Sequence, residues 1–375
     1  MTKSIAHPPA FPTGRAVWVR RLAWSIKFGF GIFCTVVALH CAFTSAALSD
    51  EQINQETNRT IRRSPVSALA LSPDGRQVLV GGQFGVEIFN VPAEEHSATI
   101  QPASELRKLV GAIDVDIVNV HAIAFSPDGQ RVAIAGGTPA DGGVLELIAW
   151  PSLEKLNHVE PHTDVIYDVA WKPNGKQLAT VSYDREVILI DADDGSTIRK
   201  LSAHSRPVLA VQWLADGATL VTGGVDRSLR VWNAVSGDLI RSSENHTQTI
   251  HALAARPQTD DNVRPMIISA GADKTVRFWQ PTIGRLVRFA RLPSVPLAIA
   301  WTPTGEQVIA ACENGQLYHI APETADAEAI GQISKARLEC LVIIESDDSA
   351  NTVIVGDADG RVWRRSLARK LHEKQ

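Results

Sequence analysis

The sequence predicts an all-β fold, a β-propeller in which seven blades of four antiparallel strands form a closed ring. Between residues 204 and 233, short apolar runs rich in β-branched residues alternate with turn residues, as is typical of strands joined by tight turns. Similar stretches recur on both sides at a period of roughly 40–45 residues, which is the period of propeller repeats. One such unit cannot bury both of its faces alone, so we expect neighbouring units to pack against one another.

The unit between residues 204 and 233 is the most regular one. It contains three predicted strands, namely Val208 to Trp213, Leu220 to Thr222 and Leu229 to Trp232. The turns between them lie at Ala215-Asp216-Gly217 and Asp226-Arg227-Ser228, since Asp binds nearby backbone N–H groups and Gly adopts a positive φ at no cost. Units that begin at His162 and His246 repeat this order of strands and turns. The repetition indicates a structural motif and not an isolated site.

The number of blades follows from the first strands, which can be aligned on the turn that ends each of them. The seven first strands with their turns are Val66 to Gly75, Val120 to Gly129, Ile166 to Gly175, Val208 to Gly217, Ile250 to Pro257, Pro296 to Gly305 and Leu338 to Ser346. A second and a third strand follow each of them. The predicted fourth strands are Glu105 to Val110, Glu154 to Val159, Ser196 to Leu201, Asp238 to Ser243, Arg285 to Ala290 and Glu328 to Ile333.

The last blade has no fourth strand of its own. After Trp363 only residues 364–375 remain, and half of them are charged. We therefore expect an N-terminal strand, around Asn58 to Arg63, to complete the last blade. Closing the ring in this way removes an open sheet edge that would invite aggregation.

These motifs resemble the WD40 family. They are a His before the first strand, a V-x-x-V-x-W/F strand, a Pro-Asp-Gly-like turn, an Asp in the next turn and a Trp that closes the third strand. The resemblance covers roughly residues 57–368. It implies a buried hydrogen-bonded set of four side chains in two of the blades: His204, Thr222, Asp226 and Trp232 in one, and His246, Ser269, Asp273 and Trp279 in the other.

The third blade keeps part of this set, with His162, Thr180 and Asp184, but has Ile190 in place of the Trp. A His, a hydroxyl and an Asp together also suggest a hydrolase triad. Here the trio recurs with the period of the repeat, which favours a structural role. The chain contains no G-x-S-x-G, H-E-x-x-H, P-loop or EF-hand motif, so we expect no catalytic site, no cofactor and no metal.

Charge excludes one class of partner. The 375 residues have a net charge of −4, but residues 1–47 carry five of the 37 basic residues and no acidic one. The rest of the chain therefore has a net charge of −9, with 32 basic against 41 acidic residues. An acidic body of this kind does not favour nucleic acid, because Lys and Arg contacts to phosphate dominate such binding.

The N-terminus has the features of a secretory signal. A basic region precedes an apolar run from Phe28 to Phe43, and small residues from Thr44 to Ala47 follow as a cleavage site. At 16 residues the run is shorter than the about 20 that a spanning helix needs, although an uncleaved anchor remains an alternative. We expect an exported protein of bacterial type, periplasmic or secreted. Its predicted parts are a signal or anchor (1–47), a linker (48–57), the propeller (58–368) and a charged tail (369–375).

Four cysteines are present, of which Cys34 and Cys41 lie in the N-terminal apolar run. Cys312 and Cys340 are predicted to be buried in strands, with a disulfide between neighbouring blades as the alternative that export would permit. No Cys-x-x-Cys-His motif for haem attachment occurs.

Candidate binding residues lie in loops of one face and at aligned positions of the first strands. In WD40 propellers, the loops before each first strand and those between the second and third strands share the usual partner-binding face. Two insertions fall there, residues 111–119 and residues 137–143, and they carry acidic side chains. The predicted partner-binding residues are of three kinds. Asp114, Asp116 and Asp141 belong to these insertions, and Tyr183 precedes a turn Asp. His121, Tyr167 and His251 are at aligned first-strand positions, some of which should face the channel mouth.

The expected function is that of a non-catalytic, exported WD40-repeat scaffold, a monomeric propeller that binds a protein or peptide through this face. Fold resemblance alone is a weak basis for function. One alternative is a subunit of an envelope redox or assembly complex. Another is a metal-dependent propeller hydrolase, which would need several oxygen ligands to converge at the channel mouth.

Overall fold

The computed structural model describes residues 64–92, 104–106, 109–258, 264–345 and 351–367. The chain divides into residues 1–60 and residues 61–375, and all described residues belong to the second unit. The predicted signal or anchor, the linker and the charged tail lie outside the described residues. Among the residues that are described, none forms a helix long and apolar enough to cross a membrane.

The described residues form seven antiparallel sheets of four strands each, which confirms the predicted seven-bladed propeller. The first blade consists of β1 (Ala68–Leu71), β2 (Gln77–Gly82), β3 (Gly85–Asn90) and β5 (Leu109–Ile113). The second consists of β6 (Val120–Phe125), β7 (Arg131–Thr138), β8 (Gly142–Ala149) and β9 (Lys155–His162). The third consists of β10 (Ile166–Trp171), β11 (Gln177–Ser182), β12 (Glu186–Asp191) and β13 (Thr197–Ser202).

The remaining blades follow the same order from the inner to the outer strand. The fourth consists of β14 (Val208–Trp213), β15 (Thr219–Gly224), β16 (Leu229–Asn233) and β17 (Leu239–Ser243). The fifth has β18 (Ile250–Ala255), β19 (Ile267–Gly271), β20 (Thr275–Gln280) and β21 (Arg285–Arg291), with a 3₁₀ turn at Pro281–Ile283. The sixth has β22 (Pro296–Trp301), β23 (Val308–Cys312), β24 (Gln316–Ile320) and β25 (Ala327–Gln332). The seventh has β26 (Leu338–Ile344), β27 (Thr352–Asp357), β28 (Val362–Ser366) and β4 (Ser104–Glu105).

The ring is closed by β4, which corrects the predicted closing strand. β4 comes from the connection between β3 and β5 of the first blade, and Glu105 pairs with Trp363. The Leu106 N–H donates to the Val362 carbonyl at 2.7 Å, and the Leu106 side chain is buried in the apolar contact between the first and last blades. The residues predicted for this edge, 58–63, lie outside the described part of the chain.

This closure also shifts the outer strand of the first blade. The predicted strand from Glu105 to Val110 divides in two, since Glu105 belongs to the seventh blade and β5 begins at Leu109. The long connection after β3 reaches the neighbouring blade, and burial of the apolar Leu106 side chain stabilises its pairing there.

Both faces of the middle strands are buried, because each blade is covered by two neighbours. On β11, Leu178 packs against the second blade, whereas Ala179 and Val181 pack against the fourth. This is the two-residue alternation of a strand, with apolar side chains on both faces. It explains why the second strands of the repeats have almost continuous apolar sequences.

Tryptophans at the ends of inner strands join adjacent blades. Nε1 of Trp171 donates to the Ala124 carbonyl of the second blade at 2.9 Å, and Nε1 of Trp213 donates to the Ala170 carbonyl of the third at 3.2 Å. A buried indole N–H needs such an acceptor. A cation covers each ring, with the Arg131 guanidinium carbon 5.1 Å from the Trp171 ring centre. Lys172 lies over the Trp213 ring in the same way. A third tryptophan, Trp301, repeats both contacts: its Nε1 donates to the Ala254 carbonyl, and Arg256 lies over its ring.

The two cysteines of the propeller are free thiols in strands. Cys312 is buried in β23, and burial raises the pKa of its thiol to about 12. Cys340 is half-buried in β26, and its Sγ donates to the Val66 carbonyl across the seam of the ring, 3.5 Å away. The structure therefore has strand cysteines and not the alternative disulfide.

Candidate interaction face of the propeller

A hydrogen-bonded chain crosses the fourth blade from loop to strand. Nδ1 of His204 lies 2.9 Å from Asp226 Oδ2, and Nε2 lies 2.8 Å from Thr222 Oγ1. The Trp232 indole then donates to the same Thr222 oxygen at 2.9 Å. Burial by itself would raise the pKa of Asp226, but hydrogen bonds, first that of His204, bring it below its ordinary value. We call such a His–hydroxyl–Asp set, with or without the Trp, a tether.

The fifth blade repeats the tether with Ser269 as the hydroxyl. His246 Nδ1 lies 3.0 Å from Asp273 Oδ2, and Nε2 lies 2.7 Å from Ser269 Oγ, which also accepts the Trp279 indole N–H at 2.8 Å. Burial lowers the pKa of His246 to about 4, so the ring is neutral at neutral pH. The pKa of Asp273 falls to about 2 because hydrogen bonds, first that of the Thr275 hydroxyl, outweigh the effect of burial.

Whether a substrate could reach the hydroxyl distinguishes a catalytic triad from a tether. Ser269 is fully buried, and its oxygen is engaged by both His246 and Trp279. A nucleophile must reach its substrate, so this geometry fits a structural role. Each tether joins the loop before the inner strand to the turn after the second strand, which are the two kinds of loop on one face of the ring.

The third blade has a shorter tether. His162 Nδ1 lies 3.0 Å from Asp184 Oδ2, and Nε2 lies 2.9 Å from Thr180 Oγ1. Ile190, buried at the position of the Trp, donates nothing to the Thr180 hydroxyl.

The seventh blade contains a substitute set that sequence reasoning missed. The buried carboxylate of Asp357 accepts hydrogen bonds at its Oδ2 from the Ser334 hydroxyl at 2.6 Å and from the Trp363 indole at 2.7 Å. Ser334 stands four residues before its inner strand, where the tethers have His, but Asp357 is the last residue of β27. Aligning the motifs does not reveal this set, because its Asp and its Trp lie at different strand positions from the Asp and the Trp of the tethers.

The second blade has no tether, and a polar cluster lies at the corresponding place. We call Asp116, Glu146, Lys155 and His158 the blade-two cluster. Glu146 Oε1 accepts the Asp116 N–H at 2.8 Å and lies 3.1 Å from His158 Nδ1. Lys155 Nζ lies 3.0 Å from Asp116 Oδ2 and 3.7 Å from Glu146 Oε1. Of these four residues, only Asp116 was among the candidates from the sequence. Glu146 and His158 are paired across β8 and β9, which only the strand register reveals.

Three of the candidate binding residues form an aromatic group, which we call the aromatic patch. The ring centres of His121 and Tyr167 are 5.2 Å apart, and those of Tyr167 and Tyr183 are 6.4 Å apart. Tyr183 is 52% exposed, and the other two rings are half-buried. Burial lowers the pKa of His121, which favours its neutral form, and raises the pKa of Tyr167. The patch spans the second and third blades.

The acidic hairpin loop between β7 and β8 is fixed beside the third blade. The Ala140 N–H donates to Asp164 Oδ1 at 3.1 Å, and Asp141 is exposed in the same loop. Asp164 also contributes to the raised pKa of Tyr167, so its charge acts on the aromatic patch. The loop and the patch therefore belong to one sector of the face.

The other candidates lie apart from the patch. Asp114 is exposed, and its charge acts on Lys155. His251 is in the fifth blade, where burial lowers its pKa although the charge of Glu313 opposes this shift. The predicted residues thus divide into the patch with the Asp141 loop, the blade-two cluster with Asp114, and an isolated His251.

Comparison with known proteins agrees with the repeat structure. The family model for the WD domain, G-beta repeat, matches residues 153–191, 195–233 and 237–280. Each match covers the outer strand of one blade and the first three strands of the next blade. The first match, for example, contains β9 to β12. The chain therefore carries WD40 repeats, and they lie within a seven-bladed propeller.

Several proteins of Arabidopsis thaliana are similar to part of this chain. WD repeat-containing protein VIP3 is 26% identical over 136 residues, which is 31% of this chain and 42% of that protein. Actin-interacting protein 1-2 is 29% identical over 138 residues, covering 36% of this chain and 20% of that protein. Transcriptional corepressor LEUNIG_HOMOLOG is 32% identical over 115 residues, covering 30% of this chain and 14% of that protein. Each match thus spans less than half of the relative's length.

Proposed function

We propose that the protein is a non-catalytic scaffold that binds a protein partner through the face that carries the aromatic patch. The observation that carries this proposal is the convergence of His121, Tyr167 and Tyr183 from two blades, with Tyr183 half exposed. Tyrosines supply much of the energy of protein interfaces, because they bury a large apolar area and still offer a hydroxyl.

Rigid loops support a binding role for this face. The tethers of the third, fourth and fifth blades fix the loops before β10, β14 and β18 to the turns of the same blades. A surface that is already ordered loses little conformational entropy when a partner binds. The tethers therefore act on affinity indirectly, by holding the loops in place.

Charge indicates the chemistry of the partner. Asp141 and Asp164 stand beside the patch, and the chain beyond residue 47 has a net charge of −9. We infer a partner segment with basic side chains next to an apolar or aromatic residue that packs on Tyr167 and Tyr183. The relatives support the general role, since the name of one of them describes a protein that interacts with actin.

Export remains a proposal that depends on residues 1–47 alone. The similar proteins come from a plant and support only the WD-repeat part of the expectation, not an exported protein of bacterial type. N-terminal sequencing of the protein from its source tests export directly. A mature chain that starts close after residues 44–47 is expected, whereas an intact N-terminus in the soluble fraction would contradict export.

Affinity capture tests the proposed face. Wild-type protein, a double variant Tyr167→Ser with Tyr183→Ser, and the control Phe84→Ser are used as baits in extract of the source cells. Phe84 is 66% exposed in the β2–β3 turn of the first blade, on the same face but outside the patch. We expect a protein that wild type and control retain equally and that the double variant retains at least about tenfold less well. Equal retention by all three baits would rule out the patch as the binding surface.

A further inference from the structure

We propose that the second blade holds a divalent metal ion, most favourably Zn²⁺, between Asp116, Glu146 and His158. One ligand atom from each of these side chains lies within 4.8 Å of the other two. The site is on the outer strands of the blade and in the loop that leads into it. It is thus separate from the aromatic patch, and it does not depend on the proposed function.

The buried carboxylate of Glu146 is the first argument. The side chain is 0% exposed and lies on β8 between Val144 and Ile148, which pack against the first blade. Its Oε1 has close partners, but its Oε2 is buried and has no hydrogen-bond partner among the described residues. An unsatisfied buried carboxylate oxygen is costly, and buried charges are usually paired or bound to metals. A metal ion bound by this carboxylate would offset the cost of burying its charge.

The donor set is the second argument. An imidazole nitrogen and two carboxylate oxygens match the ligands that Zn²⁺ takes, and three protein ligands leave a fourth position for water. Zn²⁺ lies about 2.0–2.2 Å from such atoms, so the three side chains need to close in by about 1 Å. Asp116 and His158 have side chains that are 74% and 41% exposed, so both are able to rotate.

Lys155 is the competitor for the site. Its ammonium lies beside both carboxylates and supplies the positive charge that the cluster otherwise lacks. A dication would displace the ammonium, which can move into solvent because the lysine side chain is itself partly exposed.

The place of the cluster in the repeat gives the ion a role. Asp116 stands four residues before β6, as His204 stands four residues before β14 and His246 four before β18. It thus occupies the position of the tether histidine in a blade that has no tether. A bound ion would fix the loop of residues 114–119 to β8 and β9, as the tethers fix the corresponding loops of other blades.

Titration of the metal-free full-length protein with ZnCl₂, followed by calorimetry, tests the proposal. The variants are Asp116→Asn, His158→Gln and Lys155→Met, with Glu186→Gln as the matched control. Glu186 forms a comparable ion pair with Lys200 on the third blade, 3.5 Å apart, without a histidine. Circular dichroism of every variant checks that the blades remain folded.

We expect one Zn²⁺ per chain in wild type and in Glu186→Gln. The affinity should fall at least about tenfold in Asp116→Asn and His158→Gln, since even partners of metal ligands contribute on that scale. It should rise in Lys155→Met, because the competing ammonium is gone. Affinity that is unchanged in the two ligand variants would overturn the proposal, and so would binding that occurs only in Lys155→Met.

Discussion

Asp168 on the inner strand of the third blade accepts a hydrogen bond at Oδ2 from the backbone N–H of Val211 in the fourth blade, 2.9 Å away. Its Oδ1 accepts the Val169 N–H at 2.8 Å. Five other blades have alanine at the equivalent position, namely Ala68, Ala122, Ala210, Ala252 and Ala298. The third blade therefore joins its neighbour through a carboxylate where most blades have a methyl group.

This contact predicts that stability depends on pH. Burial raises the pKa of Asp168 to about 7 from an ordinary value of 3.8. The folded protein therefore keeps a proton that the unfolded chain has lost, so Asp168 stabilises the fold fully only below about pH 4. This contribution is lost as the pH rises towards 7, by at most about 1.4 kcal/mol per pH unit.

Urea unfolding of wild type and Asp168→Ala between pH 4 and 8 measures the effect. We expect the difference in unfolding free energy to decline as the pH rises to about 7 and then to level off. The comparison with the variant is necessary because His246, whose pKa is lowered to about 4, changes wild-type stability in the opposite direction. A difference that is constant with pH would show that the Asp168 carboxyl is not perturbed.

The tethers predict unequal costs for the same substitution in two blades. Thr222→Val removes a hydroxyl that is bound by both His204 and Trp232, whereas Thr180→Val removes one that has His162 but no Trp. Each buried group left unsatisfied costs about 1–3 kcal/mol. We therefore expect Thr222→Val to lower the unfolding free energy by about 1 kcal/mol or more beyond the loss in Thr180→Val. Equal losses in urea unfolding would mean that the indole does not contribute to the tether.

The closing strand predicts a large effect of Leu106. Replacing this buried side chain by Asp should open the seam between the first and seventh blades, since it would place an unpaired charge in their apolar contact. Leu109→Asp is the control, because Leu109 is half exposed on β5 nearby. Hydrogen exchange at the amides of β28 should accelerate in Leu106→Asp only. If both variants exchange at the wild-type rate, β4 does not hold the ring closed.

The fold and the tethers could be predicted because they depend on patterns that recur. His204, Asp226 and Trp232 occupy positions that repeat in the fifth blade, and the resemblance to WD40 repeats implied their hydrogen bonds. The closing strand was assigned to the wrong segment, since the choice between residues 58–63 and 104–105 depends on which apolar side chain is buried at the seam. Leu106 decides this, and its burial arises from contacts that are distant in sequence.

The site was predicted less completely than the fold. His121, Tyr167 and Tyr183 were candidates because they align on loops and inner strands of adjacent blades, and their rings lie close together. Glu146 and His158 were not candidates, because each looks like an ordinary polar residue of an outer strand. Their relation to Asp116 arises from strand pairing and from a loop packed over β8.

The proposed interaction face is tested most directly by site-specific photo-crosslinking. A photoreactive phenylalanine analogue replaces Tyr183 in one protein and Val235 in a control. Val235 is 67% exposed in the turn between β16 and β17, which lies on the opposite face of the ring. Irradiation in extract of the source cells should give a discrete adduct with a protein from position 183 and none from position 235. The same adduct from position 235, or no adduct from position 183, would contradict the proposal that the aromatic patch binds the partner.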